Sequence, residues 1–261
     1  MKLTYIGHAT CQIEIGAFSI LTDPNLSDRI VGGIRRQRQL ACDPRELPQP
    51  AAVLLSHVHY DHFDIPSYKF ISCNIPMILP KGLARFVRKN LPNPLIELAQ
   101  WSSHTFQANG SELRITRVPA RHRGGRLLHL INTHAAGYLI QCGKESVYFG
   151  GDTGMMDHFS EIGALAPIDL ALLPLGPTAP SWFMRSRHLN AADLLQAFHQ
   201  LKAKQCVPIH WGSFKLGMEP LDQPLQELKW LATTASEHNL RILEPGETLE
   251  TTEESGQSNG A

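Results

Sequence analysis

Short apolar runs broken by polar punctuation dominate the chain, and their order occurs twice. Residues 12–15 and 18–21 are rich in β-branched and aromatic side chains and flank Gly16, which predicts a hairpin ending at Thr22-Asp23-Pro24. The uninterrupted apolar run 51–55 predicts a buried strand. Asp64 and Pro66 stand where an N-cap and an early-turn proline belong and predict a helix towards Ile71. A short strand at 76–79 and a helix with a basic outer face over 82–90 follow.

In the second half a strand is predicted over 113–118. A hairpin over 138–141 and 146–149 then turns at Gly143-Lys144 and ends at Gly150-Gly151-Asp152. The apolar run 168–174 resembles 51–55, a helix over 191–201 starts from Asn190 as N-cap, and a strand at 206–209 leads into His210-Trp211-Gly212. Each half therefore reads hairpin, aspartate, buried strand, helix, strand. That order points to two β-rich layers flanked by helices.

Composition adds bounds. A chain of 261 residues is near the upper limit of one core, so one large domain over 1–250 is expected, with a polar, disordered tail over 251–261. Lys and Arg total 24, as do Asp and Glu, and this balance argues against a general nucleic-acid binder with a basic surface. No stretch approaches the roughly 20 apolar residues of a membrane span, nor do the first residues carry an apolar signal-peptide block. Five scattered cysteines without a CxxC pair fit reduced thiols and a cytoplasmic location.

The candidate chemistry begins where the run 51–55 ends, in Ser56-His57-Val58-His59-Tyr60-Asp61-His62. In extended backbone, residues two apart point the same way, so His57 and His59 can converge on one point. A turn at Tyr60-Asp61 would aim Asp61 and His62 at a second. Imidazole and carboxylate are donors suited to Zn²⁺, with tolerance for Mn or Fe. So many polar groups after a buried strand are costly without a cation to hold. Three more polar residues close apolar runs: His122, Asp152 and His210. Taken singly, the two histidines would read as hydrogen-bonded core residues and Asp152 as a turn residue. Together with the first cluster they read as ligands.

His57-Val58-His59-Tyr60-Asp61-His62 resembles the HxHxDH signature of the metallo-β-lactamase superfamily, and His122, Gly151-Asp152-Thr153-Gly154 and His210 resemble its later motifs in order and spacing. The resemblance spans Gly7-His8-Ala9-Thr10 to His210-Trp211-Gly212. It implies a four-layer αββα sandwich of two mixed sheets between helices, holding two divalent ions, Zn²⁺ foremost. By the same resemblance His57, His59 and His122 hold one ion, Asp61, His62 and His210 the other, and Asp152 bridges them, with a hydroxide between the ions as nucleophile. Asp23 resembles the family's first-motif aspartate and is expected to orient a ligand histidine from behind. Its plainer alternative is a turn-forming Asp-Pro.

Within the superfamily, the di-iron oxidoreductases carry Glu where His59 stands, and the glyoxalase-like thioesterases carry Gly-Gly where Phe63-Asp64 stand. Leu21-Thr22-Asp23-Pro24, Gly151-Asp152-Thr153-Gly154, Trp182-Phe183-Met184, His188 and Ile209-His210-Trp211-Gly212 resemble the N-acyl-phosphatidylethanolamine-hydrolysing phospholipase D branch, and less closely the ascorbate 6-phosphate lactonase branch. The first resemblance implies a phosphodiesterase acting on a small or lipid-derived diester, the second a lactonase or other carboxylic ester hydrolase. A non-catalytic metal-binding scaffold is a third reading, disfavoured by the complete ligand set. Asp61, Asp152 and His188 are the expected catalytic residues, His188 as hydrogen-bond donor or acid. Arg35 and Arg36 in a Gly-flanked loop are candidates to meet phosphate, and Trp182 and Phe183 to line an acyl groove. The stretch Arg121-His122-Arg123-Gly124-Gly125-Arg126 lacks the aromatic residue that the phospholipases carry after the histidine. A peripheral contact with a lipid surface is left open by the same resemblance.

Overall fold

The apolar runs become strands of two sheets in the computed structural model, which describes residues 1–40, 42–126 and 134–251. The first sheet opens with an antiparallel meander of β1 (Lys2–Gly7), β2 (Thr10–Ile15) and β3 (Phe18–Thr22). A two-residue ribbon of β4 (Arg29–Ile30) and β5 (Ile34–Arg35) stands apart. Then β6 (Ala52–Leu54), β7 (Met77–Pro80) and β8 (Leu95–Leu98) add in parallel beside β3.

The second sheet has β9 (Ser103–Ala108), β10 (Ser111–Arg123), β11 (His134–Cys142) and β12 (Glu145–Phe149) antiparallel. The strands β13 (Leu170–Pro174) and β14 (Gln205–Ile209) continue it in parallel. Finally β15 (Thr248–Glu250) returns to pair with β1. Among the described residues the sheets thus have seven and six strands, in orders β15-β1-β2-β3-β6-β7-β8 and β14-β13-β12-β11-β10-β9.

The order repeated in the sequence is a repeated topology. The hairpin β2–β3 is followed by parallel β6 and β7, and the hairpin β11–β12 by parallel β13 and β14. Asp23 follows β3 as Asp152 follows β12.

Alternation along the strands places the core. Ala52, Leu54 and Ile78 face the large core between the sheets, where Tyr138 and Phe149 of the second sheet meet them. Their neighbours Val53, Leu55, Met77 and Leu79 face the other way, into a smaller core closed by Phe63, Tyr68, Leu83 and Val87. Helical segments cover both outer faces, α1 (Ala84–Val87) on the first sheet and α2 (His158–Leu165), α4 (Ala191–Leu201) and α5 (Gln223–Thr234) on the second, with α3 (Ser181–Met184) in the connection before α4. The expected αββα architecture is the observed one.

Three local expectations are modified. Residues 65–70 form a 3₁₀-helix, because Asp64 caps no backbone N–H and instead accepts from the hydroxyls of Ser27 (2.6 Å) and Ser67. The helix expected over 82–90 is α-helical only across Ala84–Val87. Strand β10 runs on past residue 118 through an irregularity between Pro119 and Arg123, so His122 lies inside the strand. Asn190 does cap α4, its Oδ1 accepting from the Asp193 N–H at 2.8 Å. The segment 252–261, where a disordered tail was expected, lies outside the described residues.

Candidate metal centre

Strand ends from both sheets converge on one buried place. Leu54 ends β6 and leads to His57, Phe149 ends β12 and leads to Asp152, and Ile209 ends β14 and leads to His210. Several of these ends take left-handed backbone, with φ 32° at Asp23, 72° at His210 and 55° at Gly151. Such conformations in non-glycine residues are uncommon and cluster where a fold holds a functional geometry. Gly151 is required twice over, since a Cβ there would lie 2.5 Å from the Ser56 Cβ. Gly124 is similarly pressed, because its Cβ would come within 2.4 Å of the His57 Cβ.

Two donor sets result. In the first, His57 Nε2 and His122 Nε2 lie 3.0 and 3.1 Å from His59 Nδ1, with each Nε2 3.8 Å from Asp152 Oδ2. Ligands of a tetrahedral zinc at about 2.0–2.1 Å stand roughly 3.3 Å apart, close to the two separations from His59 Nδ1. The turn at Tyr60-Asp61 is present, with the N–H groups of His62 and Phe63 both donating to the His59 carbonyl (3.1 and 2.8 Å). It aims Asp61 and His62 at the second set. There His62 Nε2 and His210 Nε2 each lie 3.2 Å from Asp152 Oδ1, and 3.5 and 3.3 Å from Asp61 Oδ2. Asp152 thus offers one oxygen to each set.

A second layer fixes the rings. Asp23 Oδ1 accepts from the Ser56 N–H (2.7 Å), and its Oδ2 from Ser56 Oγ (2.5 Å) and His62 Nδ1 (2.7 Å). Ser56 Oγ in turn accepts from His57 Nδ1 at 2.9 Å, and the Arg187 carbonyl accepts from His122 Nδ1 at 3.0 Å. With protons held at these Nδ1 atoms, the Nε2 lone pairs of His57, His62 and His122 face inward.

The charges express the same demand. Burial lowers the basicity of His57, assisted by His62 and His59, and lowers His122 to about 4. Burial opposes ionisation of Asp61 and Asp152, yet the surrounding histidines outweigh it and hold both well below the usual carboxylate range. His62, also against the effect of burial, is raised well above its ordinary value by Asp152 and Asp61. Buried carboxylates here call for positive charge, which a proton on His62 or a cation can supply.

His188 joins the site: its buried Nδ1 lies 3.7 Å from Asp152 Oδ2, and its ring centroid 5.0 Å from that of His122. Burial lowers its pKa to about 3. Arg36 departs from the expected phosphate contact. It is buried, donates to the Asn25 carbonyl and Oδ1 and to the Ser27 carbonyl, and stacks on Phe214 at 4.7 Å, so its guanidinium is used within the fold. Arg35 is exposed on β5. Trp182, 83% exposed, and Phe183, stacked against Arg187 at 3.8 Å, lie on α3. Beside them a groove of about 440 Å³ runs past His188, lined by Ser181, Ala191, Ala192, Trp230 and Leu231 among others. His8 and Ser56 are both fully buried at the site, though neither stood out in the sequence, where a single histidine or serine carries no spacing signal of its own.

The fit of the donors to metal can be tested on the protein's own atoms. His62 Nε2 and Asp152 Oδ1 are buried without a hydrogen-bond partner, and both point into the second set. Orphaned polar atoms of this kind are rare in a folded interior, and facing donor atoms on a common point suit a cation. The donor set therefore fits.

Comparison with known proteins agrees. A family model described as beta-lactamase superfamily domain matches residues 19–211, and the chain belongs to this superfamily as a metal-dependent hydrolase. It is 33% identical to N-acyl-phosphatidylethanolamine-hydrolyzing phospholipase D 1 of Caenorhabditis elegans, over 86% of this chain and 68% of that protein. A metal-dependent hydrolase of Desulforamulus reducens is 28% identical over 95% of this chain and 99% of its own. In fold it resembles a metallo hydrolase of Ignicoccus hospitalis, with a TM-score of 0.71 at 23% identity, over 96% and 99% of the two chains. No helix among the described residues is long and apolar enough to cross a membrane.

Proposed function

We propose that this hydrolase is dinuclear and cleaves phosphodiesters in the manner of a phospholipase D. The observation that carries the reading is the pair of donor sets sharing Asp152, one oxygen facing each. His57, His59 and His122 would hold one ion and Asp61, His62 and His210 the other, with Asp152 common to both. Bound divalent ions, Zn²⁺ foremost and Mn or Fe as alternatives, supply a water acidified towards neutrality and stabilise charge on reacting oxygens.

The chain's own residues prepare that chemistry. Asp23 and Ser56 keep His57 and His62 in the tautomer that points Nε2 inward. His188, neutral at pH 7 because burial depresses its basicity, is suited to hydrogen-bonding a phosphoryl oxygen more than to acting as a cationic acid. The groove beside it, apolar along Ala191, Ala192, Trp230 and Leu231, gives room for a hydrocarbon part of the substrate, with Thr178, Ser181, Arg185 and Glu227 at its polar margin. Kinship with the Caenorhabditis elegans phospholipase favours a phosphodiester, and a lipid-derived one, over a lactone.

Turnover of a bis-aryl phosphodiester compared with that of simple lactones, under the same defined metal, separates the readings. The expected result is preference for the diester. Lactones preferred by orders of magnitude would move the function to carboxylic ester hydrolysis.

A further inference from the structure

We propose that His8 is a positioning residue for the second ion, its Nε2–H holding the Asp61 carboxylate in place between His62 and His210. The inference rests on the dinuclear reading and concerns a residue to which that reading gives no part.

His8 occupies the turn between β1 and β2, in Gly7-His8-Ala9-Thr10, with a left-handed φ of 57°. It is completely buried. Its backbone carbonyl accepts from the His210 N–H at 2.8 Å, and its ring lies 4.0 Å from the His210 ring and edge-on to Phe214 at 5.2 Å. The ring is thus fixed against His210 while its Nε2 reaches Asp61 Oδ2 at 3.1 Å. That oxygen is the one His62 and His210 face at 3.5 and 3.3 Å. Asp61 is steadied from behind as well, its carbonyl accepting from Asn25 Nδ2 at 2.9 Å.

His8 also lies close enough to the second set to be a ligand itself, as its nitrogen falls within 4.8 Å of the donor atoms of Asp61, His62 and His210. The hydrogen-bonding pattern argues otherwise. Nδ1 is buried without a partner, whereas Nε2 faces a carboxylate, so the single proton of a neutral ring belongs on Nε2. A protonated nitrogen has no lone pair for a metal. Its contribution is instead to orient a carboxylate that could otherwise rotate, the task outer groups perform around many metal ligands.

The test uses two variants of similar length, His8→Gln, which keeps a donor, and His8→Met, which does not, with zinc content and zinc affinity as readouts. The wild-type protein is measured first. Fewer than two ions there would overturn the dinuclear reading, and the inference with it. Given two ions in the wild type, His8→Met should weaken the second by about 10–100-fold, while His8→Gln should stay within about threefold. Unchanged affinity in His8→Met would overturn the positioning role alone, and equal loss in both variants would make His8 a ligand. Should neither variant fold, ¹¹³Cd-loaded wild-type protein decides by ¹⁵N NMR. A proton on His8 Nε2 with no coupling to cadmium supports the role, and a resolved coupling overturns it.

Discussion

Residue by residue, the site is organised by what each histidine's second nitrogen does. His57 and His62 are tied through Nδ1 to the Ser56–Asp23 pair, and His122 to the Arg187 carbonyl. Asp23→Asn removes an acceptor from Ser56 and His62 without touching the ligand positions. It should weaken metal binding by about 10–100-fold in competition with a chelating dye, whereas unchanged affinity would leave Asp23 as a mere hairpin end. His188→Ala is expected to lower turnover while zinc content stays at the wild-type level, and loss of metal in that variant would make His188 a ligand. Protonation gives a further expectation for metal-stripped protein. His8, His122 and His188 are lowered to about 3, 4 and 3 by burial, against an ordinary value of 6.5. Between those values the unfolded chain takes up protons that the fold refuses, so stability must fall as the pH drops below about 6.5. His62 has the opposite sign: its raised value favours the fold at lower pH and loses that contribution as pH rises through it. Thermal melting of stripped protein should therefore decline on both sides of neutrality. A flat profile from neutral to mildly acidic pH would contradict the buried, neutral histidines.

For the elements, the decisive feature is how each strand ends. The strands β6, β12 and β14 were legible as apolar runs, and the polar residues following them as candidate donors, because burial and alternation leave a direct trace in composition. The metal-site geometry adds a backbone requirement that the runs do not show. Gly151 has φ 55° and no room for a Cβ beside Ser56, whereas Gly143, with φ 59° in the β11–β12 turn, has nothing within 4 Å. Gly151→Ala should cost roughly 1–3 kcal/mol more than Gly143→Ala in urea unfolding, since both pay for the left-handed backbone and only one for the collision. Equal costs would show that Ser56 yields freely. Weaker local signals were the ones altered by tertiary context. Asp64 spends its carboxylate on Ser27 and Ser67 rather than on a helix cap, and Pro119 interrupts the ladder of β10 without ending the strand. The strands β1, β9 and β15 and the helices α2 and α5 drew no prediction.

Across the whole molecule, the two halves contribute matching pieces to one centre. Each sheet places a hairpin, an aspartate and two parallel strands on its side, so the site is assembled only when the sheets pack face to face. Candidate donors could be read along the chain because His57, Asp152 and His210 follow buried runs and His59, Asp61 and His62 crowd behind the first. Asp23 apart, the support behind them could not, because Ser56, His8 and the Arg187 carbonyl act through contacts between distant segments: His8 with Asp61, His122 with Arg187. The burial of Arg36 was hidden for the same reason, being set by Asn25 and Phe214 rather than by its neighbours in sequence. The central claim is that two ions share Asp152 and act together on a phosphodiester. Its most direct test is zinc titration of stripped protein, following bound zinc and bis-aryl phosphodiester turnover in the same samples. The account predicts about two tightly held ions per chain, with full turnover reached only as the second site fills. Full turnover at a single bound ion would contradict it.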